Sequence, residues 1–188
     1  YDNGSASYQS HFDYYKGEDP FSESEIQAIR DFAFREDFLL SIAYHSSRSG
    51  NVSEKVIYSW LWEDEKPSPD LDIISPLGIT IAEKILREDG GGGYLPVAHG
   101  TKKGNAHDWF YSQTGTIQFL IEVGTQNMQP DDLVLIENTI DRNLNGAFYM
   151  MNRAIGFING DLGAPANQVT GIISDSNSGN IIENAQVR

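Results

Sequence analysis

The chain predicts an α/β fold, a mixed sheet flanked by helices, followed by the first strands of a β-sandwich. Three observations carry that expectation. Two apolar runs, Asp37 to Tyr44 and Thr116 to Ile121, have the length and composition of interior strands. Segments with helical apolar spacing alternate with them. Beyond about residue 160 the pattern changes to short alternating strands separated by turn residues. The expected division is 1–160 for the α/β part and 161–188 for a linker and the opening of the β-sandwich.

Residues 1 to about 20 show no apolar periodicity and read as a loop with aromatic anchors, Tyr8, Phe12, Tyr14 and Tyr15 among them. Ser22 and Glu25 form a capping box with Ser22 at the N-cap, and Ile26, Ile29 and Ala33 then carry a helix over about 23–35. The first strand follows at about 37–44 and runs into His45, Ser46 and Ser47. Gly50 to Ser53 is a turn, and Val56 to Trp62 is a second strand, β-branched and aromatic. Leu71, Ile74, Leu77, Ile81 and Ile85 keep a helical stripe over about 71–88. Pro76 either sits in its first turn behind a Ser75 cap or interrupts a helix begun earlier. Gly90 to Gly93 ends that helix as a flexible link. It lacks the Lys-Ser/Thr of a phosphate loop.

Residues 94–108 form a long loop, and Asp108 to Tyr111 open a short helix. The strand ending at Glu122 comes next. Pro130, Asp131 and Asp132 start the longest helix, to about 155, with Leu133, Ile136, Ile140, Leu144, Phe148, Met151 and Ile155 on one face. The two aspartates complement the helix dipole. Strands are expected at 168–173 and 181–187, joined by a hairpin turn at 175–180 rather than by a calcium loop.

Composition narrows the function classes. A net charge of −14 and a pI near 4.5 repel phosphate backbones, so nucleic acid is excluded as a partner. No apolar stretch approaches the ~20 residues that span a bilayer. Cysteine is absent, which removes disulfide frameworks, thiolate metal sites and cysteine nucleophiles. The chain opens at Tyr1 without a signal pattern and is expected to derive from something longer. A secreted or cell-surface bacterial protein fits this composition, and a cytoplasmic one can look the same.

Chemistry concentrates at two strand ends. Open α/β sheets bind ligands beyond the carboxyl ends of their strands, and His45 and Glu122 both stand there. Histidine is a common metal ligand and glutamate a common general base. Without further context His45 reads as a hydrogen-bonded histidine, Glu122 as an ion-paired carboxylate, and His99 and His107 as solvated loop residues.

Five landmarks in order change that weighting. Tyr15-Lys16-Gly17 to Ser22-Glu23, Tyr44-His45-Ser46, Tyr58-Ser59-Trp60, Asp108-Trp109 and Phe119-Leu120-Ile121-Glu122 resemble the C-terminal half of an M14-family zinc carboxypeptidase, over about residues 10–155. Val169 to Val187 resembles the start of a carboxypeptidase regulatory-like β-sandwich.

The resemblance implies zinc as cofactor, His45 as a metal ligand and Glu122 as the catalytic base. It implies substrate contacts at Ser46 and at His107, which stands where the family shapes its specificity pocket. The family's mobile tyrosine falls on Gly100 when counted without gaps, and Tyr94 or His99 takes its place only if the loop is realigned; His99 is therefore a further candidate for substrate binding. The implied reaction is hydrolysis of C-terminal residues from peptide substrates. The family's His-x-x-Glu ligands occur nowhere in the chain. They and the substrate-carboxylate Asn-Arg pair are expected in a missing N-terminal half of the catalytic domain, so this chain alone is expected to be inactive. The alternative is a non-catalytic module with a degenerate peptidase fold that grips peptides or glycans.

Overall fold

The computed structural model describes residues 7–11, 15–46, 54–58, 66–98, 105–125, 132–158, 161–162, 174, 175, 178 and 180. The chain divides into two compact units, Tyr1–Met151 and Asn152–Arg188.

The first unit opens on helix α1, Ser24–Glu36. Glu23 occupies the N-cap and makes no side-chain cap, which corrects the capping box expected at Ser22. The reason is tertiary. Phe21 adopts φ 60° and packs edge-on against Trp109 at 5.3 Å, so the chain enters the helix later than the local motif suggests. Ser22 Oγ instead donates to Glu23, and Gln27 donates back to the Phe21 carbonyl at 2.8 Å. Asp37 ends the helix in the left-handed region, its N–H bonded to Ala33 O. That turn delays strand β1 to Leu40–Ser46, so His45 and Ser46 lie within the strand rather than after it.

Strand β2 is Lys55–Tyr58, and the remainder of the expected run to Trp62 lies outside the described residues. Helix α2, Leu71–Lys84, begins before Pro76. Of the two starts the sequence allowed, the earlier one holds: Asp70 is the N-cap, and Ser75 pairs its hydroxyl with Tyr58 at 3.1 Å. The helix ends four residues short of 88, because Ile85 turns extended and Leu86 bridges to Gly93. Gly90 to Gly93 therefore closes a tight hairpin, with Arg87 N–H on Gly92 O, and is not a flexible link. Strand β3 (Leu95–Ala98), helix α3 (Ala106–Thr114), strand β4 (Ile117–Val123) and helix α4 (Leu133–Ala154) complete the unit. Asp132 caps α4 by accepting the Leu135 N–H at 3.0 Å.

The sheet is mixed, in the order β1-β4-β2-β3. β4 runs parallel to β1 and antiparallel to β2, and β2 runs parallel to β3. Val56, Tyr58, Phe119 and Ile121 form the core with Ile74, Ile81, Ala82 and Ile85 of the α2 segment and with Tyr94. Each fully buried Ile or Phe contributes about 1.5–3 kcal/mol. Two glycines let helices approach. A Cβ on Gly78 would stand 2.4 Å from the Tyr58 ring, and one on Gly146 would stand 2.7 Å from Ile85.

α4 does not bury the face its sequence suggests. Thr139, Asn143 and Gly146 are the buried residues, whereas Leu133, Ile140, Leu144, Phe148 and Met151 are exposed. Tyr149 and Met150 of the helix pack against the core, and polar anchors add to them. Arg142 pairs with buried Glu54 at 3.2 Å and donates to Leu86 O and Thr139 Oγ1, while Asn143 donates to the Tyr94 hydroxyl.

In the second unit, Phe157–Ile158 (β5) pairs antiparallel with Asp161–Leu162 (β6), and Asp175 N–H donates to Asn180 O across a turn. The strands expected at 168–173 and 181–187 lie outside the described residues. Among the described residues no helix is long and apolar enough to cross a membrane.

Candidate functional site

The β1–β4 register sets the site. His45 is the direct partner of Glu122, one position before Ser46 and Val123. Side chains alternate along a strand and align between paired strands. His45 and Glu122 therefore share one face, and Tyr44 and Val123 share the other with the core residues Phe119 and Ile121. Nδ1 of His45 lies 3.9 Å from Oε1 of Glu122. The imidazole is well exposed and the carboxylate about three-quarters covered. Both stand at the carboxyl ends of parallel strands, the rim where such sheets place ligands.

A residue that sequence reasoning missed joins them. Lys55 is the antiparallel partner of Glu122, so Lys55, Glu122 and His45 form a row across β2, β4 and β1. No sequence signal could have found it, since the register is known only once β4 is seen between β1 and β2.

His107 is not the solvated loop residue that its surroundings suggested. It lies in the first turn of α3 and is 2% exposed, with Nε2 3.8 Å from the buried Asp108 carboxylate. Nε2 is buried and makes no hydrogen bond. Burial pushes the His107 pKa down, Asp108 opposes that, and the nearby His45 adds to it. Ser46 ends β1 on the exposed rim. His99 lies outside the described residues, as does Gly100.

Tyr94 packs in the core at 2% exposure. Its hydroxyl accepts from Gly124 N–H and Asn143, both at 3.3 Å. It shares the core with Phe119 and Ile121, and these contacts hold the side chain inside the fold. Asn152-Arg153 is an Asn-Arg dipeptide within the chain, against the expectation that the pair occurs only upstream. It is exposed on the last turn of α4, in the second unit, where Arg153 complements the helix dipole.

A catalytic zinc needs about three protein ligands. Among the described residues no group of three His, Cys, Asp or Glu is able to hold a metal ion. His45 is a suitable single donor, but these residues do not make a zinc site by themselves.

The fold is similar to those of known proteins. The zinc carboxypeptidase family model matches residues 1–149. Bovine thrombin-activatable fibrinolysis inhibitor, solved with a tick carboxypeptidase inhibitor, is similar at TM-score 0.65 and 19% identity. That match covers 84% of this chain and 54% of that one. A second structure of thrombin-activatable fibrinolysis inhibitor matches at TM-score 0.64 and 19% identity, over 84% of this chain and 41% of that one. Carboxypeptidase A from Helicoverpa armigera matches at TM-score 0.62 and 16% identity, over 78% and 37%. The chain thus spans about half, or less, of the solved structures it resembles. No curated protein sequence matches it. At these identities the structures speak for the fold alone. With the family model covering most of its length, the chain belongs to the zinc carboxypeptidase (M14) family.

Proposed function

We propose that this chain is the C-terminal part of a zinc metallocarboxypeptidase that removes C-terminal residues from peptides. The observation that carries the reading is the His45–Glu122 pair, direct partners across two parallel strands and 3.9 Å apart. Zinc, when bound, supplies a Lewis acid for the scissile carbonyl and a water of lowered pKa. His45 would be one of its ligands, and the others would come from polypeptide outside this chain. Glu122 would hold the proton taken from the attacking water and return it to the leaving amine. Its partial burial leaves one side open to solvent, as a base acting on water requires. Ser46 and His107 contact the substrate, and His99 belongs to the same group of candidates. The 161–188 segment opens a regulatory-like β-sandwich. Secretion or display on a bacterial surface rests on the acidic, cysteine-free composition.

The test uses the reading frame extended upstream of Tyr1. Glu122→Gln is expected to keep zinc and lose hydrolysis by a factor of about 10²–10⁴. His45→Ala is expected to lose zinc. Metal content and release of C-terminal amino acids are measured on both variants. An active Glu122→Gln variant rules out the proposed base.

A second reading, a non-catalytic module that binds peptides or glycans, is favoured by one observation. Tyr94 is committed to the core and so cannot serve as the family tyrosine. Peptide binding without zinc in the extended chain would establish that reading.

A further inference from the structure

Lys55 faces Glu122 but is not paired with it. The antiparallel register of β2 and β4 sets the two residues directly opposite, on one face of the sheet. Glu122 reaches the other way, toward His45 at 3.9 Å. Among the described residues the Lys55 ammonium makes no ion pair and no hydrogen bond. The residue is nevertheless partly buried, and a partly buried cation without an anion is costly. Opposite charges at directly opposite positions ordinarily attract across a ladder. An open ammonium here therefore marks a place for an anion that none of the described residues supplies. Next to it on the same face stand Ile57 and Leu120, opposite one another and partly exposed.

We infer that Lys55 determines specificity in the proposed reaction by binding the side-chain carboxylate of an acidic C-terminal residue, glutamate or aspartate. The order along the row is His45, Glu122, Lys55. In the carboxypeptidase reading the acyl side of the scissile bond faces His45, and the leaving nitrogen receives its proton at Glu122. The departing residue then continues toward Lys55. Its methylenes lie against Ile57 and Leu120, and its carboxylate meets the ammonium in a charge-assisted hydrogen bond. A basic residue meets like charge at the same point. On a chain of net charge −14 the overall field repels an acidic ligand, so a local cation decides whether one is accepted. The inference rests on the carboxypeptidase reading for the scissile bond, and on the strand register for the residue that reads its leaving side.

The test uses the same extended frame, supplied with peptides that end in Ala-Glu, Ala-Gln, Ala-Lys or Glu-Gln and are otherwise identical. The kcat/KM for the Ala-Glu peptide is expected to exceed that for Ala-Gln by about 10–100-fold, the worth of one hydrogen bond to a charged group. Ala-Lys is expected to be poorer still. Lys55→Met is expected to bring the Glu-to-Gln ratio to about one, chiefly through KM for the Glu-ended peptide. Lys55→Arg is expected to keep the preference for Glu, and Lys55→Glu to move it toward Lys. A purely structural role for Lys55 lowers all four substrates alike and leaves the ratio in place, which overturns the inference. Equal rates on the Glu-ended and Gln-ended peptides in the wild type also overturn it, as does selectivity that follows the penultimate residue. Binding of the same peptides to the zinc-stripped protein is measured by calorimetry. If no peptide is hydrolysed, the peptidase reading fails. A tighter grip on the Glu-ended peptide that Lys55→Met abolishes still leaves Lys55 as the carboxylate site, whereas equal or absent binding removes that assignment as well.

Discussion

Replacing Glu54 with leucine is expected to cost the domain about 3–5 kcal/mol, and replacing Arg142 with methionine in the same molecule should restore much of that loss. Glu54 Oε1 and Arg142 Nη1 are 3.2 Å apart, and their side chains are 4% and 12% exposed. At an effective dielectric of ~20 the Coulomb attraction at that distance is about 5 kcal/mol. Desolvating two ions costs several kcal/mol each, so the intact pair is roughly neutral against an apolar replacement. Removing only the carboxylate leaves a buried guanidinium with Leu86 O, Thr139 and Asn138 as neutral acceptors. The double variant still loses one interaction, because the Glu88 N–H now bonds to Glu54 at 2.6 Å; that loss is worth about 1–2 kcal/mol. The second substitution is therefore expected to restore about 2–3 kcal/mol of the loss caused by Glu54→Leu alone. Glu54 sits at φ 46°, and leucine, which is not β-branched, adds no new backbone strain there. Urea unfolding of the wild type, both single variants and the double variant, followed by circular dichroism, measures the cycle. Additive losses would show that the two charges do not act as a pair.

Two further predictions concern the same unit. Gly146→Ala gains about 1 kcal/mol of helix propensity but places a Cβ 2.7 Å from fully buried Ile85, and overpacking costs about 1–3 kcal/mol. A net loss near 1 kcal/mol is expected in urea melts, partly reversed by Ile85→Val, whose side chain lacks the crowded Cδ1. His107 supplies a pH test. Burial holds its pKa below the ordinary 6.5, so the folded chain takes up that proton less readily than the unfolded one. Its contribution is complete above about pH 6.5, declines as pH falls through that value, and levels off below the lowered pKa. His107→Gln should flatten the fall of unfolding free energy as pH drops below about 6.5, and an unchanged slope would assign it to other groups.

Strands were legible where apolar content alone decides. Asp37 to Tyr44 maps onto β1 with shifts of three and two residues that trace to the left-handed Asp37 turn, and Thr116 to Ile121 maps onto β4 with shifts of one and two. Helix faces were less legible. The Leu133 to Met151 stripe looks like a core face, yet α4 buries Thr139, Asn143 and Gly146. Burial there follows Gly146 against Ile85 and Arg142 on Glu54, a partner 88 residues away that no local pattern reveals. His45 and Glu122 were identifiable as strand ends, but their adjacency depends on strand order, which periodicity does not encode. Lys55 and the buried state of His107 were invisible for the same reason.

That strand order has a consequence for how the unit is built. β1 and β2 follow one another in the chain but do not touch; β4, made some sixty residues later, is wedged between them as a keystone. Until it arrives, β1 has no strand partner among the described residues and β2 has only β3. Non-local closure of this kind is slow and exposes unpaired edges while it waits. Because Glu122 rides on the keystone, one late docking event would close the sheet and set the carboxylate beside the imidazole.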